Sequence, residues 1–200
     1  MWNDLKALVS EPSMLFKQLK QTPKVKSALF IVFILSFIHM FFGAFYVEPS
    51  IFSEVGLGEM GGMWLSIVPI SIASLFGPIF FITVVSLIIW VITKVVKTGA
   101  TFTQLFSMYT YIVIVTTFGN VLNVIIQALV GSDGLIKVTS IGYLFNSDVS
   151  SPLHLLEVFF IWELILVGIG LQYTAGIRRM WAWIVVSLYG LFIFIITILQ

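Results

Sequence analysis

The chain has 200 residues, of which 60% are hydrophobic and 10% are charged, and its formal net charge is +1. Charged residues make up about a quarter of an ordinary soluble domain, and nucleic-acid-binding proteins gather basic residues into a stripe that this chain lacks, so both classes are excluded. The absence of cysteine also excludes disulfides, thiolate metal sites and cysteine nucleophiles.

Residues 1–26 are expected to form a cytoplasmic head, because they are mostly polar and precede the first apolar stretch. Apolar residues recur at helical spacing on both sides of Glu11-Pro12, a typical helix start, and Thr22-Pro23 is a typical stop. The pattern predicts an N-terminal amphipathic helix. Two placements remain open, and they are compatible. In one the helix lies among lipid headgroups with its lysines toward anionic lipid, and in the other its apolar side packs on the end of the bundle.

Residues 27–200 are expected to form the transmembrane domain, because they contain stretches long and apolar enough to cross a bilayer. The second stretch begins at Met63 and is too long for one simple crossing. We expect its residues 63–68 to lie at the outer interface and the helix to kink near Gly77-Pro78. The predicted spans are residues 27–47, 70–93, 103–130, 153–175 and 180–199.

The basic residues indicate the orientation of these spans. Apart from Lys137, every Lys and Arg lies in one of three places. These are the segment before the first span, the connection between spans two and three, and the connection between spans four and five. Lys and Arg collect in short cytoplasmic loops, so the N-terminus is expected in the cytoplasm and the C-terminus outside. The predicted fold is an all-α integral membrane bundle of five transmembrane helices, in a bacterial cytoplasmic membrane because no N-x-Ser/Thr glycosylation acceptor occurs.

Glu163 is the most costly residue to place, because it lies near the middle of the fourth predicted span. An acidic side chain at the centre of a membrane helix costs about 2.5–3.5 kcal/mol on insertion scales. Three interpretations stay open: a proton or cation relay, a recognition point for a partner helix, or a protonated glutamic acid hydrogen-bonded within the bundle.

The third predicted span carries a polar stripe. Its members are three or four residues apart and therefore share one helix face, which should look at another helix because unpaired polar groups in lipid are costly. We expect the stripe to meet Glu163 in one buried network. The stripe consists of Thr116, Asn120, Asn123 and Gln127.

His154 and Glu157 are predicted to share a helix face near the outer end of the fourth span. Such a pair can contribute to a metal site or act as a pH-sensitive pair, or it is simply a polar helix end. The chain offers no clear third or fourth ligand. We therefore predict no metal and no cofactor, with His154 as a weak metal candidate, and no catalytic residues.

Three segments resemble the Yip (Ypt-interacting protein) domain family, in its bacterial YknW-like branch. They are residues 11–16 (EPSMLF) with Pro23 before the first span, residues 99–111 (GATFTQLFSMYTY) and residues 159–171 (FFIWELILVGIGL). Members often have a Pro in the third span after the Tyr, and this chain has none between Tyr111 and Thr116.

The resemblance implies an integral membrane protein without known catalysis. Eukaryotic members of the family act with small GTPases, and some bacterial members are linked to ABC exporters that protect against toxic peptides. The leading hypothesis is a non-enzymatic accessory protein in the lipid bilayer. It would contact an ABC exporter, or a second copy of itself, through the head and the face around Glu163. The alternative is a small transporter or channel, with Glu163 and the stripe lining a polar path.

Overall fold

The computed structural model describes residues 1–43, 59–130, 138–145 and 152–198. These residues are helical, and their one extended pairing is an isolated bridge between Ser140 and Glu157. The helices are α1 (Trp2–Ser10), α2 (Pro12–Gln21), α3 (Lys26–Gly43), α4 (Glu59–Val96), α5 (Phe102–Val130), α6 (Ile141–Leu144), α7 (Val158–Tyr173) and α8 (Arg179–Ile198), with a 3-10 turn at Pro152–Leu155.

Three of the described helices are long and apolar enough to cross a membrane, and they are Lys26–Gly43, Ile72–Val96 and Phe102–Leu129. Two further apolar helices, Val158–Tyr173 and Arg179–Ile195, are shorter. The chain is therefore a helical membrane protein. The outer end of the first predicted span, residues 44–47, lies outside the described residues.

α4 is one helix of 38 residues that contains both Pro69 and Pro78. Residues 63–68 therefore belong to the same helix as the candidate span Ile72–Val96, and their placement at the outer interface stays a prediction. A proline removes one backbone hydrogen bond, but every other backbone group in lipid must still be paired within the protein. Continuing the helix through both prolines satisfies that requirement.

α5 is the central helix, in contact with α2, α3, α4 and α7. α5 packs antiparallel to α7, and at two points a glycine of one helix lies against a large side chain of the other. A Cβ on Gly170 would lie 2.7 Å from Met108 Sδ, and a Cβ on Gly119 would overlap Phe159 Cγ. The contact at Gly119 involves the root of the Phe159 side chain, so the two helices approach each other there only because glycine is present, whereas the flexible Met108 side chain at Gly170 can shift.

The head packs on one end of the bundle, the second of the two placements that the sequence left open. Its apolar residues Leu8, Leu15, Phe16 and Leu19 are at most 2% exposed. Thr174 Oγ1 donates to the Phe16 carbonyl oxygen at 2.9 Å, and the Lys24 amide donates to Ser107 Oγ at 2.9 Å. Hydrogen bonds to α5 and to the end of α7 thus fix the head in place.

We call this end of the bundle the basic end, because the head meets the α4–α5 and α7–α8 turns there. Gln104 Nε2 donates to the Lys20 carbonyl oxygen, which ties the end of α2 to the start of α5. Thr101 and Gln104 also form a reciprocal capping box, with the Thr101 amide donating to Gln104 Oε1 at 2.8 Å and the Gln104 amide to Thr101 Oγ1 at 3.4 Å. Gln104 therefore both caps the N-terminus of α5 and holds the head against it.

Candidate functional site

A cavity of about 350 Å³ lies inside the bundle between α3, α4, α5, α7 and α8. We call it the central cavity. Its walls combine apolar residues with hydroxyl, amide, imidazole and carboxyl groups. The polar residues that line it are Ser36, His39, Ser74, Thr116, Thr117, Asn120, Glu163 and Tyr189.

Glu163 is 5% exposed and reaches this cavity from α7. Its Oε2 accepts a hydrogen bond from Thr116 Oγ1 at 3.0 Å, and its Oε1 accepts one from Tyr109 Oη at 3.4 Å. Two hydroxyl donors from α5 therefore hold the carboxyl group in place. Glu163 faces the inside of the bundle, so it does not offer the outer contact surface that the sequence suggested.

The polar stripe of α5 is divided between two sites. Thr116 and Asn120 line the central cavity with Glu163, as predicted for one network. Asn123 turns instead to Glu157, and Gln127, which is 5% exposed, lies further along α5 and does not line the cavity. Asn123 thus belongs with Glu157, whereas Thr116 and Asn120 belong with Glu163.

A second polar cluster, which we call the polar cap, lies at the start of α7, away from the head. Glu157 is 2% exposed, and its Oε1 accepts hydrogen bonds from Asn123 Nδ2 at 2.9 Å and Thr139 Oγ1 at 3.0 Å. The Thr139 amide also donates to Asn123 Oδ1 at 3.1 Å. The segment before α6 is thereby fastened across the ends of α5 and α7.

The predicted His154–Glu157 pair on one helix face is wrong. His154 lies in the 3-10 turn, whereas Glu157 precedes α7 in an extended conformation with φ −97° and ψ 139°. Between them, the Leu156 carbonyl accepts a hydrogen bond from the Ile141 amide at 2.9 Å, a pairing outside the helix. His154 Nδ1 instead lies 3.0 Å from Ser140 Oγ, and the described residues contain no group of three or more His, Asp or Glu side chains that could hold a metal.

Asp4 is a buried acid that the sequence reasoning missed. Its carboxylate pairs with Lys24 Nζ at 2.9 Å and with the terminal amine at 3.3 Å, and it accepts a hydrogen bond from Tyr111 Oη at 3.3 Å. Burial raises the pKa of Asp4, but the hydrogen bond and charge of Lys24, together with the terminal amine, outweigh burial and bring the pKa below its ordinary value of 3.8. The one available signal was an acid within a lysine-rich head, and Glu11 shares that property.

The central cavity joins protonatable groups to hydroxyl and amide donors in a shielded space. A carboxyl group and an imidazole on its wall can bind and release a proton, or contribute oxygen and nitrogen atoms to a small polar guest. The polar cap uses its carboxylate differently, because Asn123 and Thr139 tie it to the backbone of the neighbouring segment. The central cavity, with its volume of about 350 Å³, has room for a ligand.

Comparison with known proteins confirms the family resemblance. The chain is 26% identical over 204 residues to a protein described as "Membrane protein YknW" from Bacillus subtilis (strain 168), an alignment that covers 93% of this chain and 85% of that protein. No solved structure matches the chain. The Yip1 domain profile matches residues 6–199, nearly the whole sequence. The chain therefore belongs to the Yip1 domain family.

Proposed function

We propose that this protein is a non-enzymatic, multi-pass accessory protein of the bacterial cytoplasmic membrane. Membership of a family whose members are not known enzymes supports the absence of catalysis. In this proposal α3, α4, α5, α7 and α8 are the five spans, with the N-terminus in the cytoplasm and the C-terminus outside. The protein acts through helix contacts with another membrane complex, for which an ABC exporter is the partner class.

An apolar groove on the side of the bundle carries this proposal. The groove has a volume of about 710 Å³ and extends from Leu5 in the head to Val158 at the far end of α7. We call it the lateral groove. It is lined by Leu5, Leu8, Val9, Ile31, Leu35, Ile114, Val115, Phe118, Val158, Phe159 and Trp162.

The chemistry of the lateral groove suits a transmembrane helix of a partner. Lipid tails are as apolar as leucine, so helices associate in a membrane through close packing rather than through the hydrophobic effect. The groove is lined by about one turn each of α1, α3, α5 and α7, and it offers that packing over part of the depth of the bundle. The head contributes one end of it, which keeps the head in the proposed contact surface.

Filling the lateral groove is expected to weaken partner binding. We expect Leu35→Trp, which adds a large side chain to the groove wall, to lower recovery of a co-purifying membrane partner about tenfold, because overpacking a close contact costs about 1–3 kcal/mol. The measurement is affinity purification in a mild detergent followed by quantitative mass spectrometry. The matched control is Ile34→Trp, since Ile34 is 45% exposed and does not line the groove.

Two results would contradict this proposal. One is repeated purification of the unaltered protein with no stoichiometric membrane partner. The other is an equal loss of partner in Leu35→Trp and Ile34→Trp, because equal losses would indicate a general defect of α3 rather than occupation of the groove.

The central cavity favours a second candidate function, that of a small transporter or channel. Glu163, Thr116 and Asn120 meet there in a space large enough for several waters, which supports a polar path. In this candidate Glu163 is the proton- or cation-binding group.

Glu163→Gln is the test of that candidate. We expect proton-coupled flux into proteoliposomes to fall to background, because the amide cannot exchange a proton at neutral pH. Glu157→Gln is the matched control and should retain flux, since Glu157 belongs to the polar cap and an amide oxygen can still accept from Asn123. Unchanged flux in Glu163→Gln, or no flux in the unaltered protein, removes the candidate.

A further inference from the structure

A separate pocket of about 380 Å³ lies at the basic end, between the α4–α5 turn and the α7–α8 turn. We call it the turn pocket. Gly176 brings the two turns together, with φ +74° and a Cβ position only 3.5 Å from Thr98 Cβ. The pocket is lined by Val96, Lys97, Thr98, Gly176, Arg178 and Trp181.

The turn pocket is strongly cationic. Lys97 and Arg178 line it from opposite turns, and Lys20 Nζ lies 3.5 Å from the Cβ position of Gly176 at its edge. The ion pairs found among the described residues both involve Asp4. Neither of them neutralises Lys20, Lys97 or Arg178. α8 also begins at Arg179, and the backbone N–H groups of a first helical turn favour an anion.

Thr98 gives a second, independent indication of a ligand. Its Oγ1 is buried and has no hydrogen-bond partner in the described part of the chain. A buried hydroxyl without a partner is destabilising, and most such groups in native proteins are satisfied by protein, water or ligand. Thr98 lines the pocket, so a turn about its Cα–Cβ bond would let an oxyanion held between Lys97 and Arg178 accept from this hydroxyl.

The surroundings of the pocket are apolar on the membrane side. Trp181 and Val96 are each 53% exposed, and the adjacent Val95 and Met180 are 78% and 64% exposed. Cations next to an exposed apolar surface match a ligand with an anionic head and hydrocarbon chains. Basic pockets between transmembrane helices are known to hold the headgroups of anionic lipids.

We propose that the turn pocket binds the phosphate of an anionic phospholipid. Lys97 and Arg178 clamp the phosphate, Lys20 adds charge at the edge, and Thr98 Oγ1 donates a hydrogen bond. The acyl chains lie along Val95 and Trp181. Through Lys20, the head of the protein thereby contributes to binding anionic lipid. This role is independent of any partner in the lateral groove.

The test is a titration of phosphatidylglycerol into the full-length protein in a neutral detergent, followed by native mass spectrometry. Each of Lys97→Asn and Arg178→Gln should weaken binding about five-fold, and the pair together roughly twenty-five-fold, since one basic residue near a membrane surface has an effect of this size. Asparagine is chosen at Lys97 because that residue has φ +58°, a conformation that asparagine tolerates. Arg179→Gln removes the same charge outside the pocket lining and should leave binding unchanged.

Thr98→Val distinguishes a specific phosphate site from nonspecific electrostatic attraction to the basic end. It should weaken phosphatidylglycerol binding several-fold without lowering the thermal stability of the lipid-free protein, because it removes a buried hydroxyl that has no partner there. Equal affinity for phosphatidylglycerol and phosphatidylcholine would overturn the proposal, as would an effect of Arg179→Gln equal to that of Arg178→Gln. Saturation of the pocket by inorganic phosphate, with displacement of lipid at comparable concentration, would overturn the lipid assignment in favour of a soluble phosphate compound.

Discussion

Asp4→Ala is expected to release the head from the bundle. The substitution removes the carboxylate that pairs with Lys24 and the terminal amine and accepts from Tyr111. Breaking a buried ion pair costs about 3–5 kcal/mol, but the Lys24 side chain is 34% exposed and its charge is partly screened. We therefore expect a loss of about 2 kcal/mol in the free energy of head opening, which corresponds to roughly thirty-fold faster hydrogen exchange of the α1 amides.

The same contact should make head docking sensitive to acid. The pKa of Asp4 is below its ordinary value of 3.8 in the folded protein, so the folded state binds protons less readily than the released head. Its contribution is complete above pH 3.8 and is lost as the pH falls through the lower folded pKa. Exchange of the α1 amides, corrected for the intrinsic pH effect, should rise in that acid range in the unaltered protein and stay flat in Asp4→Ala.

Glu11→Ala is the matched control for this prediction. Glu11 is an exposed acid in the same head, and its side chain makes no capping hydrogen bond to α2. An exposed substitution of this kind changes stability by at most about 0.5 kcal/mol. Equal exchange in Asp4→Ala and Glu11→Ala would show that net charge, rather than the Asp4 contacts, holds the head.

The length and apolarity of the stretches were sufficient to predict a helical membrane protein, and the helical repeat was sufficient to predict the polar face of α5. The positions of Thr116, Asn120 and Asn123 on one face depend only on the helical repeat, and their need for partners follows from the apolar surroundings. Glu163 could be identified for the same reason. The placement of the head could not be predicted, because an amphipathic pattern does not distinguish a lipid surface from the apolar end of a bundle.

Features that depend on distant parts of the chain were not predictable from pattern. Asp4 and Tyr111 are 107 residues apart, and nothing in the sequence near Asp4 indicates that it is buried. The start of α7 is set by pairing between residues 139–141 and 156–158 rather than by the apolar stretch itself. The choice of partner for each acid depends on the register of α5 against α7, which local periodicity leaves undetermined.

The close approach at Gly119 fixes that register. Gly119 packs on Phe159 and lies between the two acid contacts, with the Thr116–Glu163 bond on one side and the Asn123–Glu157 bond on the other. Both bonds join α5 to α7 across this point. The central cavity and the polar cap therefore depend on the absence of a side chain at Gly119.

Gly119→Ala is expected to destabilise the protein by about 1–3 kcal/mol, the usual cost of overpacking. The new Cβ would overlap Phe159 Cγ and lie 2.7 Å from Phe159 Cβ, at the root of a side chain that cannot swing away. The measurement is the free energy of unfolding in mixed detergent micelles. Gly190→Ala is the matched control and should be neutral, because its Cβ would meet only the end of Leu164, at 3.4 Å.

A double-mutant cycle with Phe159→Ala identifies the cause of this loss. If the clash is with Phe159 Cγ and the ring beyond it, Gly119→Ala should be less harmful when alanine is present at 159, with a coupling energy of about 1–2 kcal/mol. Strict additivity of the two substitutions would instead show that the loss comes from α5 alone. Because both acid contacts depend on the same approach, the single variant should also loosen the polar cap. That loosening would appear as faster exchange of the Thr139 amide, which donates to Asn123 in the intact protein.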